Sequence, residues 1–269
     1  MEQEEDLKKT IINEYPRLSL YDKFTFICHP KVTCYNKCCS DVNIAITPYD
    51  IVRLKNKLKI SSQEFLNKYT VSPFTKQQRL PVVLLKMNDD KDKTCQFVGE
   101  NGCSVYQDRP WPCRMYPVGM ASGKTEDNNY GEEFFFLLKE DICKGFDAKQ
   151  EISIEEWMRE QGVEEYNNIG NLFKEITLHK FFLDGKDLEP QQMEMYYMVC
   201  YNPDKFKEFI FNSSFLEKFE VDGGVLEKIK KDDIELMKFG FKWLKFCLFK
   251  EKTLSIKSKV REARQKEFS

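Results

Sequence analysis

Residues 94–117 read TCQFVGENGCSVYQDRPWPCRMYP, and this stretch decides what kind of fold the chain has. It carries neither the 3.6-residue period of an amphipathic helix nor the alternation of a half-buried strand, so its organisation must come from something other than a hydrophobic face. Three cysteines, Cys95, Cys103 and Cys113, are the candidates. Gly99 and Gly102 permit the tight turns that bring Cys95 and Cys103 together. Pro110 and Pro112 stiffen the chain around Cys113 and hold its sulfur in place at low entropic cost. Arg109 and Arg114 flank that cysteine. They are candidate cofactor-site residues, able to offset the negative charge of a thiolate-ligated centre and to depress thiol pKa values; the plainer alternative is ordinary salt bridges to Asp or Glu. Trp111 and Tyr116 read as packing residues.

Working outward, five more cysteines join the set. Cys34, Cys38 and Cys39 lie in CYNKCC, Cys28 precedes them, and Cys143 sits in DICKGF, so eight of the ten cysteines fall between residues 28 and 143. Thiolates in this number suit an iron–sulfur cluster or zinc, with four ligands per centre the usual count. Eight serve either two centres or one centre with spare thiols. In an extended backbone the adjacent Cys38 and Cys39 point oppositely, so one small ion needs a turn to take both, whereas a larger four-iron cluster is more forgiving. The chain has no CxxC pair, the common knuckle of structural zinc sites, and no CxxxCxxC arrangement of the radical SAM type. These features favour an iron–sulfur cluster, of the [4Fe-4S] kind, with zinc as the alternative. Cys200 and Cys247 sit in apolar surroundings and read as inert buried thiols. His29 and His179 are the only histidines, too few for a His-rich zinc or non-haem iron site.

Composition agrees with a globular metalloprotein. Of 269 residues 41% are hydrophobic and 32% charged, and the formal net charge of -2 gives no global field toward nucleic acid or anionic lipid. No run of about 18 apolar residues is present to span a bilayer, and MEQEEDLKKT lacks the apolar core of a secretory signal. The expected location is the cytoplasm, where clustered cysteines are metal ligands or redox groups more often than disulfides. Lys250, Lys252, Lys257, Lys259, Arg261, Arg264 and Lys266 make the end of the chain basic, which reads as a solvated helix end rather than a nucleic-acid site. No membrane association is expected, a protein substrate or partner is the remaining class, and the oligomeric state is open.

The fold class expected is α+β: a small cysteine-rich metal-binding core of short strands and loops over residues 20–150, a mostly helical region over 151–250 packed on it, and a charged tail over 251–269. Val42 to Ile46 suits a strand. Thr47, Pro48 and Asp50 start a helix with Ile51, Leu54 and Leu58 on one face, and Ser61 with Glu64 starts another carrying Phe65, Leu66 and Tyr69. Leu80 to Leu85 reads as a strand, paired with Phe134 to Leu138. Ser153 with Glu156 caps a further helix beginning at Trp157. Asn202-Pro203 opens one with Phe206, Phe209 and Ile210, and Leu236, Phe239, Trp243 and Phe246 recur as the stripe of a packed helix.

CYNKCC, ITPYDIVRLK, CQF, GCSVY and DRPWPCRMYP together resemble the YkgJ-type cysteine-cluster proteins, a zinc- or iron-chelating domain also found in flagellin lysine N-methylases. The resemblance covers roughly residues 24–147 and implies chelation by Cys34, Cys38, Cys39, Cys95, Cys103 and Cys113. The family's usual spacing is CxxCxxCC; here three residues separate Cys34 from Cys38, and Cys28 precedes them. Three functions are open: an iron–sulfur protein of unknown reaction acting on a protein substrate, a zinc-stabilised binding module without catalysis, and a protein lysine N-methyltransferase-like enzyme. Gly119, Gly123 and Gly131 are too scattered to form a glycine-rich methyl-donor fingerprint.

Overall fold

A computed structural model describes residues 15–73, 79–122, 133–260 and 262. The lead-in up to residue 14, Gly123, Gly131, Arg261, Arg264 and Lys266 lie outside the described residues. The chain is α+β and divides into two compact units. One holds the described residues of 15–46 and 84–168; the other holds those of 47–73, 79–83 and 169–262.

The first unit is built on short antiparallel pairs. Lys23–Thr25 pairs with Glu151–Ser153, Val98–Gly99 with Gly102–Cys103, and Val118–Ser122 with Glu133–Leu137. The last pairing differs from the expected one, in which Leu80–Leu85 partnered Phe134–Leu138. Phe134, Phe135 and Phe136 are all buried, so this strand has no solvent face, and it is covered on both edges. Val118–Ser122 takes one edge; Leu18 takes the other, exchanging hydrogen bonds with Phe135 at 2.8 and 2.9 Å. The expected strand at 80–85 shortens to Leu84–Leu85. Val42–Ile46 is extended with a single bridge, Ala45 to Leu84, rather than a regular strand.

Phe24, Phe26, Met115, Val118, Phe135, Ile154, Trp157 and Val163 form this unit's core. The Phe26 ring meets Trp157 edge-on at 5.4 Å and Phe146 at 5.2 Å, and the Trp157 indole N–H donates to the Met115 carbonyl at 3.1 Å. Trp157 arrives there on the helix Ile154–Glu160, whose start is fixed by a reciprocal Ser153–Glu156 capping box. This core is the floor beneath the cysteine loops.

The second unit is helical. Thr47 and Asp50 cap Pro48–Leu58 reciprocally, with Ile51 and Leu54 fully buried; Ser61 accepts from the Glu64 amide and starts Ser62–Tyr69. Pro190–Tyr201, Pro203–Asn212 and Asp233–Phe249 complete its framework, with Phe206, Ile210, Leu236 and Trp243 inside. Lys55, 6% exposed, bridges Asp204 at 3.2 Å and Asp233 at 2.7 Å, and Lys207 reaches the second oxygen of Asp233 at 2.7 Å. Ser255–Ile256 pairs with Phe219–Glu220, so this part of the basic end is folded back onto the unit. Among the described residues no helix is long and apolar enough to cross a membrane.

Candidate metal centre

The cysteine stretches meet within the first unit. The Cys95 amide donates to the Cys39 carbonyl at 2.8 Å, and Ser40 bridges Thr94. Beside them the Asp41 amide bonds the Lys93 carbonyl at 3.0 Å, and the Lys93 ammonium reaches Asp41 at 2.8 Å. Cys38 and Cys39 lie on a turn, the 3₁₀ helix Lys37–Cys39, entered through Asn36 in the left-handed region (φ 65). Successive side chains on such a turn diverge by about 120° rather than 180°.

Two glycines set the approach of the flanking loops. A Cβ on Gly145 would lie 2.6 Å from the Ile27 carbonyl and 2.5 Å from the Phe26 ring. Only the bare backbone fits there, and the Ile27 amide bonds the Gly145 carbonyl at 3.0 Å. This contact sets Cys143 beside Cys28. Gly102, at φ +96, closes the hairpin that carries Cys103, and its missing side chain leaves room for Tyr35, whose hydroxyl would stand 2.5 Å from a Cβ. Neither docking role is written in the cysteine spacing.

A small cavity is lined by Cys28, Cys34, Cys38 and Cys143 together with Phe26, Ile27, Tyr116 and Ile142. The Lys144 amide donates to the Cys34 sulfur at 3.1 Å. The Tyr116 hydroxyl reaches Glu140 at 3.2 Å and also bonds the Cys143 thiol; burial, then that thiol and Glu140, push its pKa up. Burial raises Cys28 to about 11, assisted by Cys38, Cys34 and Cys143 and opposed by Arg109. On the other side, Cys39 donates its S–H to Cys38. That bond, against the opposing effect of burial, brings Cys38 down to about 7, while Cys39 is pushed well above the ordinary thiol range by the same bond and by burial, then by Cys38, Cys113 and Cys95.

Cys95 and Cys103 share one local design. In Cys95-Gln96-Phe97 and Cys103-Ser104-Val105 the third residue is buried, at 5% and 1% exposure, and its amide donates back to the cysteine sulfur. Burial raises both thiols; these amides work in the opposite direction. Amides aimed at sulfur stabilise a thiolate or a thiolate-ligated cluster. The signal in the sequence is an apolar residue two places after each cysteine.

The two arginines separate. Arg109 bonds the Tyr106 carbonyl at 2.6 Å and the Gln161 side chain, lies over the Tyr106 ring at 3.9 Å, and acts electrostatically on Cys28 and Cys103. Arg114 is buried and spends its guanidinium on carbonyls: Arg109 at 3.1 Å, Gln161 at 2.6 Å, and Gln107. It also covers the Tyr166 ring at 4.6 Å. Its hydrogen bonds tie residues 107–114 to Gln161; those of Arg109 leave its charge within reach of the thiols. Trp111 bonds Asn167 at 2.8 Å, a structural contact.

The remaining donors lie elsewhere in their contacts. The imidazole of exposed His29 accepts from the Lys31 amide at 3.2 Å. His179 caps the short helix Lys180–Leu183, stacks on Phe249 at 3.6 Å, and faces Glu251 at 3.2 Å. Cys200 and Cys247 belong to the helical unit, on Pro190–Tyr201 and Asp233–Phe249.

As a test of fit, the donor set is all thiolate and lies in one unit, which suits a soft metal. Among the described residues no three His, Cys, Asp or Glu side chains converge on one ion position, and the cavity at Cys28 has about 10 Å³ of free volume, room for one water. Loading the site therefore needs cysteine rotamers to turn, a low-cost step for an unbranched side chain.

Residues 28–144 match the family model CxxCxxCC, described as "Putative zinc- or iron-chelating domain". The matched segment contains all eight clustered cysteines and neither Cys200 nor Cys247. No curated protein and no solved structure matches the chain.

Proposed function

We propose, from the premise that residues 28–144 form a chelating domain, that the clustered thiols hold iron as an iron–sulfur centre. The supporting observation is the pairing of a wholly sulfur donor set with backbone amides aimed at it, from Phe97, Val105 and Lys144. An iron–sulfur centre supplies one-electron storage. The chain's own residues do the rest. Arg109 balances part of the negative charge, the three amides hold sulfur lone pairs, and Tyr116 holds Cys143. Cys28 and Cys113 are exposed, so the centre lies within reach of a protein partner at the surface.

The test is anaerobic purification followed by visible spectroscopy and iron, sulfide and zinc analysis. Brown protein with broad visible absorption that bleaches on reduction, and matched iron and sulfide, is expected. Colourless protein carrying stoichiometric zinc would overturn the iron reading and leave a zinc-stabilised module.

A further inference from the structure

The eight thiols fall into two groups of neighbours, one that includes Cys38 and one that includes Cys39. Cys28, Cys34, Cys38 and Cys143 line one cavity. Cys39 does not line that cavity. Its carbonyl accepts from the Cys95 amide, and the thiols acting on it besides Cys38 are Cys113 and Cys95. Cys103 in turn acts on Cys95, and the paired strands Val98–Gly99 and Gly102–Cys103 hold it in the hairpin next to Cys95. The backbone explains the division. On a 3₁₀ turn the two adjacent Cβ atoms leave about 120° apart, so turning the Cys38 and Cys39 rotamers out of their mutual hydrogen bond sends the two sulfurs to different sides. Each direction has three further thiols, which reach a common position once their rotamers turn. Each also has its own amide donors: Lys144 to Cys34 on the first side, Phe97 and Val105 to Cys95 and Cys103 on the second.

We propose that the domain holds two four-thiolate centres, one on Cys28, Cys34, Cys38 and Cys143 and the other on Cys39, Cys95, Cys103 and Cys113, joined through the adjacent pair. This rests on the thiols being metal ligands, as argued above, but not on which metal they hold. Four thiolates is the usual complement of either an iron–sulfur cluster or a zinc site, and eight divides into two complete sets with no cysteine left over. Because consecutive Cα atoms are about 3.8 Å apart, the two centres lie close together, and reduced clusters there have magnetically coupled spins. Arg109 faces both, acting on Cys28 from one set and Cys103 from the other.

The experiment compares the full chain with Cys143→Ser, Cys103→Ser and the double variant, each purified anaerobically and checked for helical circular dichroism. Metal and sulfide per chain are measured, with electron paramagnetic resonance after dithionite reduction. Each single variant is expected to keep about half of the wild-type metal and the double variant none. The wild-type spectrum is expected to be broadened by spin coupling, and either single variant to give a simple, uncoupled signal. A single variant that loses all metal, or none, overturns the two-centre assignment. If a variant misfolds, Cys34→Ser and Cys95→Ser replace the pair. Cd²⁺ titration of the metal-free wild-type protein, followed by thiolate-to-metal absorption, gives an independent count: a break at two equivalents supports two centres and a break at one overturns them. Two zinc ions per chain with the same halving in the variants would overturn the iron reading and leave the two centres standing. Iron lost entirely from one single variant would do the reverse.

Discussion

The helix Asp233–Phe249 buries Leu236, Phe239, Trp243 and Leu244 along one face, whereas the loop from Cys95 to Cys113 buries only scattered side chains, Phe97, Val105 and Arg109 among them. The first arrangement is self-sufficient. Seventeen residues of continuous helix supply their own backbone hydrogen bonds, and each buried large apolar side chain contributes about 2 kcal/mol. In the second, strands of two residues, Val98–Gly99 and Gly102–Cys103, give a ladder too short to hold by itself. The comparison teaches where cross-links are needed. The helical unit is held by burial, while the cysteine loops need a bond through sulfur to fix them over the Phe26–Trp157 core.

Metal removal should therefore divide the molecule, and this is the largest effect expected. Structural thiolate metals contribute about 10 kcal/mol or more to small domains that lack a core; with a core present, a loss of about 3 kcal/mol is expected in the loops, roughly a hundredfold in local opening. Amides from Cys95 to Arg109 should lose hydrogen-exchange protection in the metal-free protein, while those of Asp233–Phe249 keep theirs. Equal loss in both segments would break the comparison.

The converse perturbation is Lys55→Met, which acts on the helical unit alone. It removes the ammonium bonded to Asp204 and Asp233. Lys207 still pairs with Asp233, so the cost is about 2 kcal/mol, below that of stripping a buried charge of all its partners. Metal content should not change. The same network makes the unit acid-sensitive. Burial opposes ionisation of Asp204 and Asp233, but the Ser62 amide and Lys55 at Asp204, and Lys207 and Lys55 at Asp233, outweigh it, so both carboxyls titrate below the ordinary range. A carboxyl depressed in the folded state binds its proton more readily when unfolded. Its contribution is full above the unfolded carboxylate pKa of about 4 and is lost as pH falls through the lower folded value. Urea midpoints from pH 6 down to 3 should fall in wild type and fall less in Lys55→Met. Parallel slopes in the two proteins would show that the acid loss lies elsewhere.

What could be read from the sequence follows the same division. Helix starts are local chemistry, and Thr47-Pro48-x-Asp50, Ser153-x-x-Glu156 and Asn202-Pro203 each begin a helix where their spacing says. Strand partners are not local. Val118–Ser122 contains Gly119, Ala121 and Ser122, poor strand formers, and pairs with Glu133–Leu137 because three buried phenylalanines need cover on both edges. At the candidate site the clustering of thiols was legible from number and spacing. The 3₁₀ turn at Cys38–Cys39, the docking of Gly145 on Ile27, and the turn of Arg114 toward carbonyls were not, since each depends on residues distant in sequence or on a left-handed Asn36. Arg109 and Arg114 look equivalent beside Cys113 and both reach Gln161; they differ because Arg114 also bonds the carbonyls of Arg109 and Gln107.

The smallest effects on metal should come from the two cysteines of the helical unit. Cys200 is 2% exposed, and burial raises its thiol well above the ordinary range despite the hydrogen bond to Tyr196; burial raises Cys247 to about 11. Both lie outside residues 28–144, the segment that matches the chelating-domain model and holds the clustered thiols. Cys200→Ser exchanges a sulfur for a hydroxyl in a closed site, costing about 1–2 kcal/mol even with Tyr196 available as a partner. Cys247, only partly buried, should cost less than about 1 kcal/mol in the same exchange. The measurement pairs metal analysis with urea unfolding for Cys200→Ser, Cys247→Ser and Cys103→Ser. The first two should lower the midpoint in that order and keep the wild-type metal content, whereas Cys103→Ser should lose metal. If Cys200→Ser also released metal in proportion, membership of the 28–144 cluster would not be what separates the two classes of thiol, and the contrast between the units would fail at its most specific point.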